Sequence, residues 1–253
     1  MTTRKPTSRK GFTLIELLTV ITIIGILAAI LIPTISGVIT VARKSAAQAN
    51  ARSIAQTYQS FSTGGSNPRT IQTPGMAHGS GTAANGVANN IEDVAFILAK
   101  SNNLNDASLW FIKTDKALTG VSIPRSIITG DPSIATTPDT SFVAARPKSW
   151  AFVVGISPSP PQASMMPLLW TYGLAENGLW SADSPWAGSG GHVAYLDGHV
   201  EWADKITTDN GGVSFAKYAS GADQGKPTIS YLEAINSQGA NPCKVVNKTG
   251  NSD

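Results

Sequence analysis

Hydrophobic and polar positions divide this chain sharply. From Phe12 to Ala42 nearly every residue is apolar, Thr, Ser or Gly, and the one charge in the run is Glu16. The 21 residues from Phe12 to Ile32 would make about 31 Å of helix, enough to cross a hydrocarbon core. Arg43 and Lys44 then mark emergence into water. The pattern changes there without stopping: Ala47, Ala51, Ile54, Tyr58 and Phe61 form one apolar stripe at helical spacing, with Gln48, Arg52, Gln56 and Gln59 elsewhere on the helix. The pattern predicts a single helix from Phe12 to Phe61, roughly 75 Å long, transmembrane in its first half and amphipathic in its second. Gly25 and Pro33 are its weak points. Pro33 has no N–H to donate and would kink the helix.

Downstream the periods are shorter. Gly64-Gly65-Ser66-Asn67-Pro68 breaks the helix, and residues 64–90, rich in Gly, Ala, Asn and Thr, read as a long surface loop. Ile91–Lys100 reads as a short amphipathic helix, with Glu92 and Asp93 in its first turn and Lys100 in its last. Ser108–Lys113, Trp150–Ile156 and Leu168–Tyr172 read as strands. Residues 122–148 carry Pro, Thr and Ser punctuation and no clear period. Ser157-Pro158-Ser159-Pro160-Pro161 reads as a rigid polyproline-like turn. The chain is polar after Gly211, and the tail 241–253 reads as mobile.

The clearest local signal is Gly190-Gly191-His192-Val193-Ala194-Tyr195-Leu196-Asp197-Gly198-His199-Val200-Glu201-Trp202. Asp-Gly between alternating strands predicts a hairpin with a two-residue type I′ turn. In that register Leu196 faces His199 and Val193 faces Trp202. Val193, Tyr195, Val200 and Trp202 would then share a buried face, and His192, Ala194, Leu196, His199 and Glu201 the other. Trp180, Trp186 and Trp202 suggest a tight aromatic corner beside it.

The N-terminal residues carry a resemblance. A short basic leader, Gly11 before Phe12, Glu16 five residues into the chain that cleavage would leave, and then Gly25 and Pro33 are similar to the type IV prepilin and pseudopilin family. A secretory signal would place its cleavage site after the apolar core; here the cleavage-like glycine precedes it. The resemblance implies removal of the leader 1–11 between Gly11 and Phe12 by a prepilin peptidase, and methylation of the new Phe12 amine. It implies a filament in which Glu16 of one subunit meets the Phe12 amine of its neighbour. The hairpin resembles that of large pseudopilin-like proteins with an Asp-Gly-His/Ser-Val turn. Some of those carry a histidine ten residues before the aspartate, where this chain has Ala187.

Composition narrows the function classes. The chain has 253 residues, 42% hydrophobic and 14% charged, which is the composition of a folded protein. The formal charge of +3 comes from the leader. Without Arg4, Lys5, Arg9 and Lys10 there are 15 basic and 16 acidic side chains, which gives no support to nucleic-acid binding. The leader's charge fits a cytoplasmic N-terminus. Cys243 is the one cysteine, so no intrachain disulfide can form. Many pilins similar to this one at the N-terminus close a C-terminal loop with a disulfide.

Catalytic signatures are missing: no Ser-His-Asp spacing, Gly-rich phosphate loop or Cys-x-x-Cys occurs. The histidines are His78, His192 and His199. His78 lies in the Gly-rich loop and is expected to face solvent. The predicted register puts His192, His199 and Glu201 on one face, so a zinc ion is one reading there and a satisfied hairpin the other. Asp197 reads first as a turn former. Its alternative role is as a calcium ligand with Asp183 or Asp204; otherwise no cofactor is expected.

The sequence therefore predicts an α+β protein: leader 1–11, a long helix 12–61, and an antiparallel-sheet domain 62–240. The reading is a non-enzymatic subunit of a type II secretion pseudopilus in the bacterial inner membrane, its globular domain in the periplasm. Its partners would be copies of itself, other pseudopilins, the prepilin peptidase and the inner-membrane secretion platform. A type IV pilus subunit is the near alternative. A membrane-tethered glycan-binding module using the six tryptophans is the distant one.

Overall fold

The computed structural model describes residues 11–65, 69–73, 83, 86–147, 149–156, 162–209, 212–218, 223–235 and 243–246, without the side chains at 33, 34 and 36. The polyproline-like stretch at 157–161 and His78 lie outside the described residues. The chain forms two compact units, Met1–Lys44 and Ser45–Asp253. Helix α1 (Leu14–Thr63) contributes to both and is helical through Gly25 and Pro33.

In the second unit the predicted stripe of α1 is buried: Ala47, Ala51, Ile54, Tyr58 and Phe61 are at most 5% exposed, and Ala55 joins them. Tyr58 anchors this contact. Its ring meets Phe152 edge-on at 5.4 Å, and its hydroxyl donates to the Ile156 carbonyl at 3.0 Å. Burial pushes the phenol's pKa far up, so Tyr58 stays a donor. Arg69 closes the C-terminal end of α1. Its Nε donates to the Phe61 carbonyl at 3.2 Å, its backbone N–H to that of Ser62 at 2.9 Å, and its guanidinium lies 4.7 Å from the Phe61 ring centre. The region 64–90 is not wholly a surface loop, because Ile71, Thr73, Val87 and Ala88 are buried.

Helix α2 (Ile91–Asn102) forms where expected. Asn90 caps it by accepting from the Asp93 N–H, and Asn103 ends it in the left-handed conformation at φ 59°. Ser108–Lys113 is not a strand. Asp106 accepts from the Ser108 N–H and starts a 3-10 helix over Ala107–Trp110. The chain then turns inward, where the Ile112 N–H donates to Ser149 Oγ and that hydroxyl donates to Asp115. A local side-chain bond competes here with the extended state that the apolar run suggested. Within the unassigned 122–148 stretch, Asp139 caps the short α3 (Thr140–Ala145).

The main sheet holds β1 (Trp150–Val154), β2 (Pro167–Thr171), β3 (Gly191–Tyr195), β4 (Val200–Ala203) and β7 (Lys244–Val246), all antiparallel, in the order β4-β3-β2-β1-β7. The stretch read as a mobile tail thus supplies an edge strand. Val245 and Val246, apolar and β-branched, pair with Val153 and Phe152 and are buried. A two-stranded ribbon of β5 (Phe215–Ala216) and β6 (Pro227–Thr228) and the short α4 (Tyr231–Ala234) complete the fold. Directly paired residues share a face. Phe152, Leu169, Ala194, Val200 and Val246 line the face that meets Tyr58 of α1. Trp170 and Tyr195 lie on the other, against Tyr231 and Phe215. The architecture is α+β, a long apolar N-terminal helix followed by helices and an antiparallel sheet, with α2 beside β1.

The hairpin differs from expectation by one residue. Tyr195 and His199 close it: the Tyr195 N–H donates to the His199 carbonyl at 3.0 Å, and the Gly198 N–H to that of Tyr195 at 2.9 Å. Only Gly198 adopts positive φ, +86°. Asp197 keeps the ordinary hand, and its carboxylate accepts from the His199 N–H at 3.1 Å. The loop therefore has three residues, Leu196-Asp197-Gly198, with glycine as the left-handed bulge. A slip of one residue exchanges the faces of β4. Trp202 pairs with His192 and Glu201 with Val193, so Val193, Tyr195, Val200 and Trp202 do not share a face. Tyr195 is fully buried, but Trp202 is half-buried.

This register sets a measurable contrast. Tyr195→Ala is expected to cost about 3–5 kcal/mol, the range for deleting a core aromatic. Trp202→Ala is expected to cost roughly half as much, because its indole already meets solvent. Urea unfolding of the detergent-solubilised chain checks this; equal losses would restore the two-residue turn.

Candidate functional site

Two places carry side chains whose arrangement exceeds packing: the start of α1 and the hairpin. At the first, Gly11, Phe12 and Thr13 precede the helix, and Phe12 is 78% exposed. Thr13-Leu14-Ile15-Glu16 forms a capping box. Glu16 Oε2 accepts from the Thr13 N–H at 2.8 Å and from Thr13 Oγ1 at 2.7 Å, while the Glu16 N–H donates to Thr13 Oγ1 at 3.3 Å. The sequence reading singled out Glu16 and missed Thr13, although a threonine three residues before a glutamate at the head of an apolar run is the signature of this motif. Two further hydroxyls bond within the helix: Thr19 Oγ1 donates to the Glu16 carbonyl at 3.0 Å and Thr22 Oγ1 to that of Leu18 at 2.8 Å.

From Leu14 to Ile32 the helix is long and apolar enough to cross a membrane. Large apolar side chains stay exposed along it on every face. The exposure continues beyond that span at Ile35, Val38, Ile39 and Val41.

The hairpin lies against α1 through two glutamines. Gln48 Nε2 donates to the Val200 carbonyl at 3.0 Å, and Gln59 Nε2 to that of Leu196. Eleven residues is close to three helical turns, which puts both amides on one side of α1. Sequence reading places them off the apolar stripe and gives them no role. Their amides occupy backbone acceptors at the edge of the sheet. On the opposite face, His199 stacks on Tyr195, ring centres 4.3 Å apart and planes 9° from parallel, while its Nδ1 meets Asp197 Oδ1 at 2.5 Å. Burial raises the Tyr195 phenol's pKa, and the Glu201 carboxylate beside it adds to the effect.

His192 does not join His199. It lies on the other face, 2% exposed, edge-on between Trp186 and Trp202. Those two indoles also meet edge-on at 5.5 Å. Gly190 and Gly191 make room for this corner. A Cβ on Gly190 would reach 2.7 Å from the Trp202 ring, and one on Gly191 would overlap Trp180.

The face-sharing argument for zinc therefore fails, since it depended on the wrong register. Two of the three calcium candidates bond separately, Asp197 with His199 and Asp204 accepting from Trp202 Nε1 at 2.6 Å, and Asp183 is exposed. Among the described residues, no three of His, Cys, Asp or Glu are placed to hold a metal ion. Cys243 is buried, and burial pushes its thiol pKa up to about 11. Five of the six tryptophans are buried, with Trp202 the half-exposed one, so they offer little platform for a sugar ring.

Comparison with known proteins adds one finding at the N-terminus. The model for the prokaryotic N-terminal methylation motif matches residues 6–32, spanning Gly11, Phe12 and Glu16. No curated protein and no solved structure matches the chain. The motif implies processing by a prepilin peptidase and pilus-like assembly in general. At these residues the chain is similar to type IV pilins and pseudopilins, and an exposed apolar helix followed in sequence by an α+β domain accompanies the motif.

Proposed function

We propose that this chain is a structural subunit of a type II secretion pseudopilus. A peptidase cleaves between Gly11 and Phe12, and the new Phe12 amine is methylated. The subunit then rests in the inner membrane, N-terminus toward the cytoplasm and globular domain in the periplasm, until it joins a fibre with copies of itself and other pseudopilins on the secretion platform. It catalyses no reaction.

The observation that carries this reading is Glu16: one carboxylate in an exposed apolar helix, beside a processing motif, with no basic side chain on the helix until Arg43. An acidic side chain deep in a bilayer costs on the order of 2.5–3.5 kcal/mol. The cation that cleavage creates is the Phe12 α-amine. In a fibre, Glu16 of one subunit pairs with the Phe12 amine of the next, and low dielectric penalises any stagger that leaves the charge unpaired. Gly25 and Pro33 would let the helix bend as it packs. The Asp197-Gly198 hairpin favours the secretion reading over a type IV pilus, because it resembles that of large pseudopilin-like proteins.

Mass spectrometry of the mature protein should give an N-terminus at methylated Phe12. A chain that retains Arg9 and Lys10 would overturn the assignment. Glu16→Ala is expected to leave insertion and cleavage intact and to cut recovery of sheared fibres by at least about tenfold, the effect of ~1.4 kcal/mol. Glu16→Gln is expected to fall between the two. Wild-type fibre yield from the alanine variant would replace the charge pair by apolar packing. Chromosomal neighbours separate the two systems: a secretin with an assembly ATPase alone supports the pseudopilus, and a retraction ATPase as well would point to a pilus.

A further inference from the structure

The face of the main sheet that points away from α1 carries a cavity that assembly through Glu16 leaves unused. Ala151 and Trp170 pair directly on this face, and Val245 of β7 lies on it diagonally from Ala151, paired with Val153. A single methyl at Ala151, between an indole and a valine, leaves a hollow on the sheet. The cavity measures about 140 Å³ and is walled further by Tyr231 of α4 and by the loop that follows β2. Gly173, at φ +94°, turns that loop. The Ser181 N–H donates to the Gly173 carbonyl at 2.7 Å, and a Cβ on Gly173 would come within 2.8 Å of Ser181 Oγ. Ser181 is exposed and stands at the mouth.

The lining limits what can enter. Trp170 is 1% exposed, and its ring centre lies 5.1 Å from that of Tyr231, the planes 40° apart, so the inner wall is aromatic. Among the described residues the Trp170 indole N–H has no hydrogen-bond partner, and an indole can only donate. No charged side chain lines the cavity. An ion entering it would lose its water and meet no opposite charge. A cavity of about 150 Å³ is enough to hold benzene, so the space is that of one six-membered ring. We infer that this cavity binds a compact neutral ring that carries a hydroxyl or carbonyl oxygen. The ring packs against Trp170 and Tyr231, and its oxygen accepts from the Trp170 N–H. The site is independent of Glu16 and its pairing.

Phenol, toluene and benzoate are the probes: a ring with an acceptor, a ring without one, and a charged ring. Each is titrated calorimetrically into the full-length chain in detergent, and the indole N–H resonances are followed in parallel. Ala151→Leu fills the cavity and corrects for partition of the probes into micelles. Where that variant unfolds, Ser181→Phe closes the mouth from an exposed position. Phenol is expected to bind saturably and to shift one indole resonance, the one missing from Trp170→Phe. Its affinity is expected to fall at least about tenfold in the filled chain. Trp170→Phe keeps a ring at the wall and removes the donor, so the ratio of phenol to toluene affinity is expected to fall about fivefold, the effect of one neutral hydrogen bond. Benzoate is expected not to bind. Phenol uptake that is the same in the wild-type and filled chains would overturn the site and leave the cavity to water. Benzoate binding as tight as phenol would overturn the neutral class. An unchanged phenol-to-toluene ratio in Trp170→Phe would overturn the role of the indole N–H.

Discussion

Between Leu14 and Val41, α1 carries apolar side chains on every face, and the chain itself leaves almost all of them exposed. From Ala47 to Phe61 the apolar side chains fall on one stripe, and that stripe is buried. One helix thus meets two environments, and its sequence changes period where the environment changes. Everything else follows from serving both. The first stretch needs lipid or protein around it and tolerates a charge only if that charge has a partner. The second needs a sheet to cover its stripe, and β1 to β4 with β7 provide one.

The second contact is made by apolar packing and by backbone capture together. Tyr58 does both, placing its ring on Phe152 and its hydroxyl on the Ile156 carbonyl. Gln48 and Gln59 take carbonyls of the hairpin that no neighbouring strand reaches. A buried carbonyl without a donor costs about 1–3 kcal/mol, so these polar residues on a packed helix are part of the contact. They also occupy the sheet edge, the position at which unpaired strands invite unwanted pairing.

Most of the architecture was legible in the sequence because it rests on periodicity. The long helix, its stripe, α2 with its acidic first turn, and strands β1 and β2 all follow from spacing and propensity. The failures have specific local causes. Ser108–Lys113 read as a strand, but the Asp106 carboxylate offered a nearer partner and wound a 3-10 helix. The hairpin was found and its register was not. Asp-Gly suits a two-residue turn, yet Asp197 can bond to the His199 N–H while Gly198 alone takes the left-handed conformation. In the fold Gln59 donates to the Leu196 carbonyl and the Met166 carbonyl accepts from the Leu196 N–H at 3.0 Å, tertiary contacts that accompany the three-residue loop and that no local window contains. One residue of slip was enough to separate His192 from His199. Strand β7 was hidden because Lys244–Val246 is too short to show a period. At the head of α1, Glu16 was conspicuous as a charge among apolar residues, whereas Thr13 looked like another small residue of the run.

The central claim is that a carboxylate and an amine from different subunits set the stagger of the assembly. A density map of the sheared fibre, resolved well enough to place side chains, tests it most directly. The account predicts a Glu16 oxygen within about 3 Å of the Phe12 nitrogen of an adjacent subunit, the spacing of a charge-assisted hydrogen bond. A fibre whose Phe12 amine lies well beyond that reach, with Glu16 bonded only inside its own chain, would contradict it.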